Sequence, residues 1–196
     1  MLLESMNIGK LKKYLAHKFQ TGIRGELSYH TWDHVLGVLN VCNQYARRYK
    51  ITGREAHLLR TAALIHDIGF LWTYKDHEDE GVRFTTRELP AWGYSKKDIE
   101  AIDGMIMATQ IPQKPKNLLE QIVCDADLDY LGTDQFYTIG ETLFKEFIAM
   151  NQIKTRADWN KLQINFLSGH EYHTTYAKKF REPVKQKHLQ DLIENS

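Results

Sequence analysis

The chain has 196 residues, a length that supports one sizeable core without disulfides or structural zinc. Its 26 Lys and Arg against 25 Asp and Glu leave a formal charge of +1, which argues against a protein built around a nucleic-acid backbone or an anionic membrane surface. Twelve Gly and four Pro are few for a many-stranded β protein, Cys42 and Cys124 make no disulfide framework, and nine His are the excess to explain.

The N-terminal MLLESMNIGKLKKYL mixes charge into its apolar residues from the fourth position, so it does not read as a secretory leader. No stretch approaches the roughly 18 uninterrupted apolar residues of a membrane span, and the lipidation signals, an N-terminal Gly and a C-terminal Cys box, are missing. These features predict a soluble, cytoplasmic protein. Leu11, Leu15 and Phe19 mark a first amphipathic helix ending near Gly22 and Gly25. Val35, Val38, Leu39, Cys42, Tyr45, Ala46 and Tyr49 keep the three-and-four rhythm of a second, opened by Tyr29–His34. Thr52 and Glu55 have capping-box spacing ahead of a third, which carries Ala56, Leu59, Ala63 and Ile65 and should stop near Gly69. The same spacing recurs at Ser95 and Asp98, and at Thr155 and Asp158. Other helices are predicted at about 78–89, 117–130, 134–151, 170–181 and 184–193. Pro90, Pro112, Pro115 and Pro183 all fall between periodic segments. With no repeat or linker in view, the expectation is one all-α domain over 1–196, a bundle of about 8–10 helices.

Three clusters carry chemistry. His30 and His34 are four apart, a spacing that would place them on one helix face. His66-Asp67 ends the apolar run Ala62-Ala63-Leu64-Ile65 and is followed by Ile68-Gly69, an arrangement ill suited to stability alone. Asp125, Asp127 and Asp129 alternate beside apolar residues, which is costly unless a cation or basic group neutralises them. His34, His66, Asp67 and Asp127 together make a mixed N/O donor set suited to Fe, Mn, Ni, Zn, Co or Mg, with neither Cys included. Asp67 has two oxygens and could bridge a pair of ions.

His34, His66-Asp67 and Asp127, in this order and at these spacings, resemble the HD-domain superfamily of metal-dependent phosphohydrolases, and His66-Asp67-Ile68-Gly69 carries its most recognisable element. The likeness covers about residues 29–131, with helices over 134–196 packing on that core. It implies His34 as first metal ligand, His66 and Asp67 as the central pair, and Asp127 as the last, with Asp125 and Asp129 competing for that place. Tyr29-His30-x-x-x-His34 is similar to the Tyr-His-Asn-x-x-His element of cyclic-nucleotide phosphodiesterases, with Thr31 where Asn is usual. That likeness implies His30 as general acid beside Asp67 in the catalytic centre. His77-Glu78-Asp79-Glu80-Gly81 resembles the His-x-x-x-Gly segment of members with two metals. It makes His77 a candidate ligand for a second ion, although the further His of those members is replaced at Ala108-Thr109-Gln110.

The expected reaction is therefore hydrolysis of a phosphate mono- or diester, of a nucleotide or another small metabolite, by metal-activated water with one or two divalent ions. An HD-type di-iron oxygenase and a non-catalytic nucleotide-sensing module are the alternatives. Lys75 and Arg181 are candidate phosphate contacts, although a surface lysine and a solvated basic face are the plainer readings. His170, Thr174, Ala177, Arg181 and Lys185 recur at helical spacing as a basic stripe. The expected partner is a small phosphorylated substrate rather than a membrane or nucleic acid, and self-association is left open.

Overall fold

The computed structural model describes residues 7–195. The leader argument rests in part on residues 1–6, which lie outside that range. Among the described residues there are ten α-helices, three short 3-10 turns and no strand, as the periodicity predicts. The helices are α1 (Ile8–Gly22), α2 (Trp32–Arg48), α3 (Gly53–Ile65), α4 (His77–Glu88), α5 (Lys96–Ala108), α6 (Leu118–Asp127), α7 (Phe136–Ala149), α8 (Arg156–Gly169), α9 (Thr175–Phe180) and α10 (Glu182–Glu194). None is long and apolar enough to cross a membrane.

The chain divides into two compact units, one running to Arg24 and over His30–Ala126, the other comprising Gly25–Tyr29 and the segment from Asp127 onward. In the first unit α3 is central. Ala56, Leu58, Leu59 and all of residues 61–65 are buried, and α1, α2 and α5 pack against it. Leu11, Leu15 and Phe19 form the buried face of α1, and Val35, Val38, Cys42, Tyr45 and Ala46 that of α2. Each fully buried aliphatic side chain contributes about 1.5–3 kcal/mol relative to exposure. α4 packs on α5 and on the 3-10 turn Ile68–Leu71.

Two of the three predicted capping boxes close. Ser95 accepts from Asp98 N while Asp98 accepts from Ser95 N, and Thr155 and Asp158 do the same. Thr52 is the N-cap residue of α3, but its hydroxyl caps nothing. Asp98 also pairs with Arg54 of α3, so one carboxylate both caps α5 and ties it to its neighbour.

In the second unit α10 packs against α8, α9 and the 3-10 turn Asp129–Gly132, and α7 packs on that turn as well. The turn is bound by Tyr172, whose hydroxyl donates to the Leu128 carbonyl at 3.1 Å. Gly132 is required there, since a Cβ would lie 2.5 Å from the Arg181 carbonyl oxygen. Residues 25–29 join this unit through Ser28 Oγ donating to the Thr142 carbonyl and Tyr29 N donating to the buried Glu146 carboxylate.

The structure departs from the sequence reading in several helix bounds. α3 stops at Ile65, four residues short of Gly69. The predicted helix over 117–130 divides into α6 and a separate 3-10 turn. The predicted helix over 170–181 shortens to α9, because His170 is an extended C-cap of α8 and Thr174 caps α9 by accepting from Ala177 N. The basic stripe therefore does not form on one helix. Lys185, one of its members, is fully buried.

Candidate metal centre

α2 begins at Trp32 with extended Thr31 as its N-cap, so His34 lies in the first helical turn and His30 in the bend before it. The imidazoles of His30 and His34 still come within 6.2 Å of each other, but chain direction at the bend brings them together, not helical i,i+4 geometry. At the other end of the centre, the chain leaves α3 at His66, whose backbone N–H still donates to Ala62. His66 Nδ1 lies 3.0 Å from the Ala63 carbonyl. A carbonyl can only accept, so Nδ1 carries the proton and the Nε2 lone pair points away.

That lone pair faces His34 Nε2 at 3.4 Å and Asp67 Oδ2 at 3.2 Å. His34 Nε2 is also 3.2 Å from Asp67 Oδ2. No hydrogen bond of proper geometry reaches this buried oxygen. His77 Nε2 approaches the other oxygen, Oδ1, at 3.5 Å. Asp67 thus presents one oxygen to His34 and His66 and the second to His77. His66 is fully buried and Asp67 nearly so. Burial by itself would raise the Asp67 carboxyl, but the adjoining His66 first, with the His34 and His77 ring nitrogens, reverses this and holds it well below the usual carboxylate range.

Asp127, the last residue of α6, completes the group. Donor atoms of His34, His66, Asp67 and Asp127 all lie within 4.8 Å of one another, a set that could hold a metal ion. Its neighbours in the alternation have other surroundings. Asp125 is fully buried, and Asp129 accepts from Arg181 Nε at 2.7 Å. A buried carboxylate oxygen without a hydrogen bond, converging on two imidazoles, fits a divalent cation of the N/O-preferring kind.

The segment between Asp67 and His77 sets the shape of this corner by steric demands. A Cβ on Gly69 would sit 1.9 Å from the His77 carbonyl oxygen, so the start of α4 reaches the centre only over a residue without a side chain. Asp76, in the left-handed region at φ 55, turns the chain into α4. Lys75 is exposed on this loop, where Thr73 Oγ1 donates to its carbonyl. Thr109 donates its hydroxyl to the Ile106 carbonyl. Arg181, the other candidate phosphate contact, is held by Asp129 in the second unit.

The HD domain family model matches residues 31–129, half of the chain. The chain belongs to the HD domain family. HD domains are usually metal-dependent hydrolases that bind divalent ions, which agrees with the donor group at His34, His66, Asp67 and Asp127. No curated protein and no solved structure matches the chain. His30 lies one residue outside the matched HD segment.

Sequence reasoning missed two features of the site. Phe70 lies between His30 and His77, stacked on both; within an apolar run its sequence carries no signal of this. The other is the tautomer of His66, set by a carbonyl three residues back, which helical spacing alone could have suggested.

Proposed function

We propose that this HD domain is a metal-dependent phosphohydrolase that cleaves a phosphate mono- or diester of a nucleotide or small metabolite. The observation that carries the reading is the two-sided Asp67 carboxylate, with His34 and His66 on one oxygen and His77 on the other. His34, His66, Asp67 and Asp127 would hold one ion, and Asp67 with His77 a second. When bound, a divalent cation there supplies Lewis acidity, acidifying water and polarising a phosphoryl oxygen.

The chain's own residues perform the remaining tasks. His66 keeps its Nε2 lone pair available because Nδ1–H is committed to Ala63. Asp67 remains ionised because imidazoles surround it. His30, half-buried and 6.2 Å from His34 between ring centres, stands beside the donor group without belonging to it. Protonated, it donates to the departing alkoxide oxygen, a contribution typically worth about 10²–10⁴-fold.

The test is elemental analysis followed by a phosphatase and phosphodiesterase screen of one metal-defined sample. Asp67→Ala should lose metal and turnover together. His30→Ala should keep the metal and lose about 10²-fold or more in kcat. Wild-type turnover by Asp67→Ala overturns the reading. So does oxygen consumption by iron-loaded protein that hydrolyses no phosphoester.

A further inference from the structure

Phe70 is 2% exposed and sits in the 3-10 turn Ile68–Leu71, with its N–H donating to the Asp67 carbonyl at 3.1 Å. Its ring stacks on His30 with centroids 3.9 Å apart and planes tilted by 24°, and on His77 with the same separation and tilt. The two imidazoles are 6.4 Å apart. Tyr74 meets both partners edge-on, His30 at 6.0 Å and Phe70 at 5.3 Å.

This arrangement answers a mechanical problem. His30 precedes α2, so no helical turn fixes its ring, and the torsion that rotates an imidazole about its own axis is broad. A flat aromatic face restricts that rotation where a flexible aliphatic side chain would not. The same ring restrains His77, whose Nε2 must meet Asp67 Oδ1. Phe70 and Asp67 share one short hydrogen-bonded turn, which fixes the spacing of their backbones.

We infer that Phe70 is a positioning residue, holding the His30 and His77 imidazoles in register with Asp67 through one shared ring. The task of His30 rests on the phosphohydrolase reading, whereas the restraint on the two rings does not. Truncating the plate should therefore impair proton donation and the second-ion site together, while the group at His34, His66 and Asp67 persists.

The experiment compares wild type, Phe70→Leu, Phe70→Met, Phe70→Tyr and His30→Ala, each checked for folding by circular dichroism. The esters are para-nitrophenyl phosphate, whose leaving group departs without a proton, and a nucleoside monophosphate, whose alkoxide needs one. Phe70→Leu should lower kcat on the nucleotide by about 10²-fold, the cost of a misplaced catalytic group, with KM little changed and far less loss on the aryl ester. His30→Ala should give the same discrimination, and Phe70→Tyr, which keeps the ring, should recover most of the loss. Titration with Mn²⁺ alone should show weakened binding of the less tightly held ion in Phe70→Leu. In wild-type NMR spectra the His30 and His77 imidazole protons should be displaced upfield by the Phe70 ring.

Folded Phe70→Leu or Phe70→Met protein with wild-type Mn²⁺ binding overturns the inference. So does an active enzyme in which His30→Ala discriminates between the esters and Phe70→Leu does not. A wild-type protein that cleaves neither ester counts against the phosphohydrolase reading alone, and the Mn²⁺ titration and imidazole spectra then decide the role of Phe70. Should every Phe70 variant fail to fold, absence of the upfield shifts in wild type overturns it.

Discussion

His66 and His170 illustrate how a neighbour decides what a histidine does. His66 commits one nitrogen to a carbonyl and turns the other toward the donor group. His170 lies beside the buried Lys185, whose ammonium donates to the His170 carbonyl and faces its Nδ1 at 3.4 Å. Burial first and the Lys185 charge second lower the His170 imidazole to about 4. A histidine depressed in the native state contributes full stability above its unfolded value, near 6.5. That stability is lost as pH falls from about 6.5 toward 4, because the unfolded chain takes up a proton the native state refuses, and it levels off below. The loss is on the order of 3 kcal/mol. Urea unfolding across this range should show a steeper decline for wild type than for His170→Phe; parallel curves would contradict the assignment.

At the level of elements, the junction between α3 and α4 is the most demanding part of the fold. The chain must leave α3 at His66, deliver Asp67, pass Gly69 beneath the His77 carbonyl and re-enter a helix within eleven residues. Gly69→Ala places a methyl group 1.9 Å from that carbonyl, so the start of α4 has to move. The expected result is a folded but destabilised protein with weakened Mn²⁺ binding, since His77 moves with the backbone; calorimetric titration checks it. Unchanged Mn²⁺ binding in a folded Gly69→Ala protein would contradict that placement of α4. Most elements were legible in advance because their signals are local. Apolar spacing marked α1, α2 and α3, and the boxes at Ser95 and Thr155 marked the starts of α5 and α8. Residues 170–174 were misread because their spacing is helical, yet Thr174 accepts from Ala177 N in an extended conformation and restarts the helix.

For the molecule as a whole, a cation held by native residues and not by the unfolded chain adds stability by mass action. At about 100 times its Kd this amounts to ~2.7 kcal/mol, and each kcal/mol raises Tm by roughly 2–4 °C for a chain of this size. Thermal unfolding with and without Mn²⁺ should show that rise, chelation should reverse it, and Asp67→Ala should abolish it. A Mn²⁺-dependent rise that survives in Asp67→Ala would place the ion elsewhere. By itself the sequence determined the helical class, through apolar periodicity and caps, and the donor types, through His34, His66-Asp67 and Asp127, all within the segment the HD family model matches. Only the tertiary structure decided which Asp67 oxygen faces which imidazole, that His30 precedes α2, that Phe70 is shared by two rings and that Lys185 is buried. Periodicity and capping act over three or four neighbouring residues. Which atoms meet depends on side chains such as His34 and His66, 32 positions apart, and only the packed chain brings these into contact.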